Sequence, residues 1–115
     1  MKIDIYKEIG EICITMQDGQ KIFDQIHPIL LAGNTVELNF ENVNLFASLF
    51  FNASIGRLLE DIKSEDLNRL VKITNINSIG RTAFRRSIEN AREYYGNKKR
   101  RDAVDEVLLQ QAEEL

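Results

Sequence analysis

Between Thr35 and Ile62 the hydrophobic pattern changes period, and that change limits the chain to a narrow class of folds. Val36, Leu38 and Phe40 alternate with Glu37 and Asn39, the signature of a strand with one side turned to a core. Glu41-Asn42-Val43-Asn44 is a polar connection holding one apolar anchor. From about Phe46 to Ile62, at about 100° per residue, Phe51, Ile55, Leu58 and Ile62 fall on one stripe, the core face of a helix. Strands linked by helices favour parallel pairing, because the helix carries the chain back along the sheet.

The flanking segments extend this pattern. Lys2 to Lys7 reads as a strand, with Ile3 and Ile5 on one side and Lys2, Asp4 and Tyr6 on the other. Gly10 marks a turn, and Ile12 to Thr15 reads as a second short strand, the hairpin partner of the first. Thr15 followed by Asp18 resembles a capping box for a first helix, Gln17 to Leu31, whose face is Ile22, Phe23, Ile26 and Leu30. Pro28 predicts a kink near Asp24 to His27 or a separate final turn. Ser64-Glu65-Asp66 reads as a loop, and Leu70 to Ile76 as a fourth strand. Asn77 or Ser78 caps a third helix that ends near Gly96, with Phe84, Ile88, Ala91 and Tyr95 as its core stripe.

The expected fold is therefore α/β. A small mixed sheet of about four strands, opening with an antiparallel hairpin, has helices packed against it over residues 1–96. Residues 97–115 read as a charged, amphipathic helical tail. Lys98 to Arg101 gives way to Val104, Val107, Leu108 and Leu115 among acidic residues. A helix of that length is marginal alone in water, so it needs a partner surface in this chain or another.

A chain of 115 residues has room for one core. The longest apolar run, Leu45 to Phe51, is broken by Ser48 and is far too short for a membrane span. The start, Met1 to Ile5, has no signal-peptide apolar segment, and the single Cys13 fits a reducing, cytoplasmic compartment. A net charge of −3 argues against bulk electrostatic binding to nucleic acid. The charge is unevenly spread, however, with Arg81, Arg85, Arg86, Arg92 and Lys98 to Arg101 facing only Glu89 and Glu93 across that stretch.

Side chains for catalysis are few. His27 is the only histidine and lies in a different element from Cys13, so no Cys–His pair is expected. No metal-ligand spacing or Gly-rich phosphate loop is present. Glu60, Asp61, Glu65 and Asp66 read as solvated surface. No enzyme activity and no cofactor are expected.

The informative feature is a second apolar stripe, Phe46, Leu49, Phe50 and Ala53, nearly opposite the core stripe. Either it is covered within the chain, by the tail, the third helix or deep burial of the helix start, or it meets a partner or a second copy. Phe46, Ser48, Leu49, Phe50, Asn52 and Ala53 are the candidate partner-binding residues. Ser48 is either a capping or packing hydroxyl or a phosphorylation site at a helix start. Arg81, Arg85 and Arg92 fall within about 40° of one another on the helix wheel. They form either a solvated face paired through Glu89 or a contact for an acidic partner.

The element order and several segments resemble the STAS domain of sulphate transporters and anti-sigma factor antagonists, and more closely the small bacterial family of STAS-like domains of unknown function. Those segments are Asp18-Gly19-Gln20-Lys21, Val36 to Val43, Phe46 to Gly56 and Ile88 to Tyr95, so the similarity spans about residues 1 to 95. The resemblance implies a mixed sheet flanked by helices, shortened by loss of a closing strand, and a non-catalytic role in protein–protein regulation. In anti-sigma factor antagonists an Asp-Ser-Ser-Gly motif opens the second helix, and its Ser is phosphorylated by a histidine-kinase-like ATPase that is also the partner. By that match Ala47 stands at the Asp, Ser48 at the phosphorylated Ser, and Leu49-Phe50 at Ser-Gly. Structural self-association as a homodimer is the alternative role.

Overall fold

The computed structural model describes residues 1–95. Its elements are β1 (Lys2–Asp4), α1 (Ile5–Glu8), β2 (Ile12–Cys13), α2 (Met16–Leu31), β3 (Val36–Asn39), β4 (Leu45–Phe46) and α3 (Ser48–Ser54). A 3-10 turn (Gly56–Glu60), α4 (Ser64–Leu70) and β5 (Val71–Thr74) follow, and a last helix, α5, occupies 78–95. The strands form two sheets, and all pairing is parallel: β1-β3-β5 with three strands, β2-β4 with two. The expected tail lies outside the described residues.

The single mixed sheet of four strands is thus corrected to two small parallel sheets, and the opening hairpin does not form. The cause lies at Asp4. Its carboxylate accepts the Lys7 N–H at 3.3 Å and starts a one-turn helix where the alternation predicted more strand. Gly10, at φ +119, then turns the chain away, and β2 pairs with β4 instead of β1. Ile3 and Ile5 are both buried, so the alternation identified the core side but not the backbone conformation.

The helix starting at Thr15 follows expectation, since the Thr15 hydroxyl accepts the Asp18 N–H at 3.1 Å. The helix runs unbroken through Pro28 to Leu31, so no separate final turn forms. The segment 46–62 is not one helix. Phe46 ends β4, α3 stops at Ser54, and a tighter turn carries Leu58 into the core. Ser64, expected in a loop, opens α4. Asn77 caps α5, its side-chain oxygen accepting the Gly80 N–H at 2.8 Å.

The core centres on α3. Phe51 packs against four rings, Phe40, Phe46, Phe50 and Phe84, with centroids 5.4–5.9 Å away. On its other side α3 lies directly against α2. A Cβ built at Gly19 would stand 2.5 Å from the Phe50 carbonyl oxygen and 2.8 Å from the Ala53 Cβ. The outer face of the three-stranded sheet is polar, with Lys2, Glu37 and Lys72 in one cross-strand row and Asp4, Asn39 and Thr74 in the next.

Gly19→Ala therefore tests the α2–α3 contact. Alanine favours a helix by about 1 kcal/mol over glycine, but a clash with main chain forces the two helices apart, which costs about 1–3 kcal/mol. The expected result is a lower urea midpoint; an unchanged or raised midpoint refutes the close packing.

Candidate functional site

β4 and β2 run parallel, and the ladder extends to Ala47, whose N–H donates to the Cys13 carbonyl at 3.0 Å. Helix α2 follows β2 and α3 follows β4, so both helix starts leave the same end of this two-stranded sheet. Ala47 is extended, and Ser48 is the first helical residue. The start of α5 lies across this point. A Cβ at Gly80 would stand 2.7 Å from the Phe46 ring and 2.7 Å from Ile76, so only glycine lets α5 come this close.

Between the starts of α3 and α5 is a groove of about 560 Å³. One wall is Phe46, Ala47 and Ser48; the other is Ser78, Ile79, Thr82, Ala83 and Arg86. Thr82 donates its hydroxyl to the Ser78 carbonyl at 3.0 Å. Ser48 is half-buried and does not cap α3, whose N-cap, Ala47, has no side-chain hydrogen bond.

The candidate residues on α3 separate into exposed and enclosed. Leu49 is 46% exposed. Phe50 is fully buried, and Ala53 is half-buried beside Gly19. Helix α2 therefore covers that part of the second stripe, and a partner cannot reach Phe50 in the folded chain. Asn52 is exposed overall, yet its side-chain oxygen accepts the hydroxyl of the fully buried Ser87, which ties α3 to α5. Phe46 is half-buried, stacked on Phe51 at 5.8 Å.

Sequence reasoning missed Ile79, Thr82 and Arg86 as groove residues, and Ser87 as a buried anchor. Ile79, an apolar residue on the outer side of α5 straight after its cap, was the available signal. Four further apolar side chains, none of them a candidate site residue, are exposed: Ile12, Ile14, Met16 and Leu45. Ile12 and Leu45 lie in β2 and β4, Ile14 follows β2, and Met16 opens α2, near the helix start that carries Leu49.

Arg81, Arg85 and Arg92 are exposed, and among the described residues none forms an ion pair. The expected bridges through Glu89 are absent from that set. Those present join Lys2 to Glu37, Lys21 to Glu8, His27 to Asp61 and Arg69 to Asp66. His27 stacks on Phe23 at 4.5 Å with Nε2 2.8 Å from Asp61. It sits about 16 Å of helix from the start of α2, next to Cys13 in the chain, so the two do not meet.

A family model described as STAS-like domain of unknown function (DUF4325) matches residues 18–81, more than half of the chain. The chain belongs to this family. No curated protein and no solved structure matches it. In this STAS-like domain the matched stretch runs from the first turn of α2 to the first turn of α5. It takes in Gly19, the Phe46–Ser48 wall and Gly80. No helix among the described residues is long and apolar enough to cross a membrane.

Cys13 borders the site from inside. Its thiol is fully buried, and burial, assisted by the Asp18 charge, pushes its pKa up to about 12. At pH 8 only about one thiol in ten thousand is then the reactive thiolate. Labelling by a thiol reagent at pH 8 should follow unfolding, and rapid labelling of the folded chain refutes the burial. Because the folded pKa lies above the ordinary value, this group's contribution to stability is intact below pH 9 and is lost as pH rises toward 12. Cys13→Ala should flatten the stability profile in that alkaline window.

Proposed function

We propose that this STAS-like domain is a non-catalytic regulatory module that binds a protein partner at the shared end of β2 and β4. The observation that carries this reading is the gathering of exposed apolar side chains there. Ile12, Ile14, Met16, Leu45, Leu49 and Ile79 are each 41–62% exposed. Apolar side chains gathered on one end of a small domain mark an interaction surface more often than a solvated one. The resemblance to anti-sigma factor antagonists adds the kind of partner, a histidine-kinase-like ATPase, and the kind of control, phosphorylation of Ser48. Ser48 suits that role because its hydroxyl caps nothing and borders an open groove beside Arg86.

Leu49→Asp and Ile79→Asp place a charge on this surface without entering the core. Each should keep the native circular dichroism spectrum and bind an ATPase of this type at least about tenfold more weakly. A folded Leu49→Asp chain that binds as well as the parent refutes the surface. Phe50→Asp, by contrast, buries an unpaired charge against α2 and should not fold.

Incubation with the same ATPase and ATP should add one phosphoryl group, lost in Ser48→Ala, as read by intact mass. Modification at another residue overturns the placement. Dimers that form with concentration in light scattering, and that Ile79→Asp abolishes, would assign the surface to a second copy instead.

A further inference from the structure

Strand β2 has one edge in use. The Leu45 and Ala47 N–H groups donate to the Glu11 and Cys13 carbonyls at 3.2 and 3.0 Å, so residues 11 and 13 face β4. Strand geometry turns the N–H and C=O of Ile12 and Ile14 to the other edge. Among the described residues those groups have no backbone partner. An open edge is a template for a further strand, and sheets commonly blunt it with charge or proline. The outer strands of the three-stranded sheet carry such charges, Lys2 and Asp4 on β1 and Lys72 on β5. Residues 12–15 carry neither charge nor proline, and Ile12 and Ile14 are exposed while Cys13 between them is buried.

This edge is complementary to itself. Two copies laid antiparallel, with Cys13 at the two-fold axis, set Ile12 against Ile14 of the second copy. Each such pair exchanges both of its N–H···O=C bonds. Glu11 then lies opposite Thr15 of the second copy, whereas a parallel, in-register pairing would set two Glu11 carboxylates side by side. The register has little room to slip. Gly10 turns the chain at φ +119 and Met16 is already helical. Centring the pair on either isoleucine therefore leaves the other opposite a residue outside the strand.

We propose that β2 pairs antiparallel with β2 of a second copy across this edge. The two-stranded sheets join in the order β4-β2-β2-β4. Ile12, Ile14 and Leu45 of both copies then lie side by side on one apolar face. Leu49 and Ile79 take no part in the pairing, so the inference goes beyond the partner reading and does not depend on it. A single short strand from each copy is far less than the roughly 20–30 residues a side of a stable complex, so the dimer is weak and forms at roughly 0.1–1 mM.

Sedimentation equilibrium of the full chain up to about 1 mM reads the association. Ile14→Pro removes a donor that the single chain does not use, and an edge strand tolerates proline where its N–H faces outward. This variant should keep the native circular dichroism spectrum and dimerise at least about tenfold more weakly, since both copies lose a bond. Ile14→Val and Ile79→Asp should leave the dimer as it is. In the unaltered chain, amide hydrogen exchange at Ile12 and Ile14 should slow as concentration rises. That measurement needs no variant, so it decides the matter if Ile14→Pro does not fold. A chain that stays monomeric at about 1 mM overturns the proposal. So does a dimer that Ile14→Pro spares, or one that leaves exchange at Ile12 and Ile14 unchanged. None of these results touches the partner reading, which Leu49→Asp binding decides separately.

Discussion

The β2–β4 end of this domain depends on how closely α2 approaches α3. The missing side chain at Gly19 lets the two helices touch through the Phe50 carbonyl and the Ala53 methyl. With α3 held there, Phe51 projects the other way into a cluster of four rings, and Phe46 stacks on it from β4. A seven-residue helix is too short to hold its own shape in water. Tertiary packing on both sides holds α3, and that packing places Ser48 and Leu49 at the surface.

The second apolar stripe was legible in the sequence, and what covers it was not. Periodicity reports that a face is buried, never against what. Phe50 and Ala53 look like surplus because nothing in the pattern pairs α3 with α2, although Gly19 shares the helix face of Ile22, Phe23, Ile26 and Leu30. Gly19 was the clue, a helix-weakening residue in a well-capped helix, which earns its place through close approach. The parallel order of β3 and β5 was readable for a sounder reason, since the helical connection between them allows little else. The hairpin failed because Ile3 and Ile5 suit a strand and a strand followed by a capped turn equally well. Only the reach of Asp4 to the Lys7 N–H separates the two.

Half of the groove was visible in the same way. Phe46 and Ser48 stood out through their own pattern, but the opposite wall is contributed by α5, some 30 residues later, and no local signal pairs the two. Ser87 shows the limit most clearly. A serine inside an apolar stripe reads as a flaw in the stripe, yet its hydroxyl is fully buried and bonded to Asn52. The same bond withdraws the Asn52 side-chain oxygen from any partner. A buried hydroxyl left unpaired would cost about 1–3 kcal/mol, so this pair fixes how α5 lies on α3, and with it the width of the groove.

Two surfaces remain open, and their chemistry separates them. On the three-stranded sheet the polar rows satisfy themselves. Lys2 pairs with Glu37 at 3.5 Å, and the Asn39 side-chain oxygen accepts from both the Glu41 N–H and the Asn75 amide. Water covers such a face at no cost, and a partner would have to displace bonds already made. The β2–β4 end is the reverse. Ile12 and Leu45 are strand partners with half of each side chain in water, next to helix starts that expose Met16, Leu49 and Ile79. Covering apolar surface yields roughly 25 cal/mol per Å², so burial is favourable there and neutral on the sheet. That contrast makes the end where Ser48 and Arg86 lie the surface whose covering water would favour.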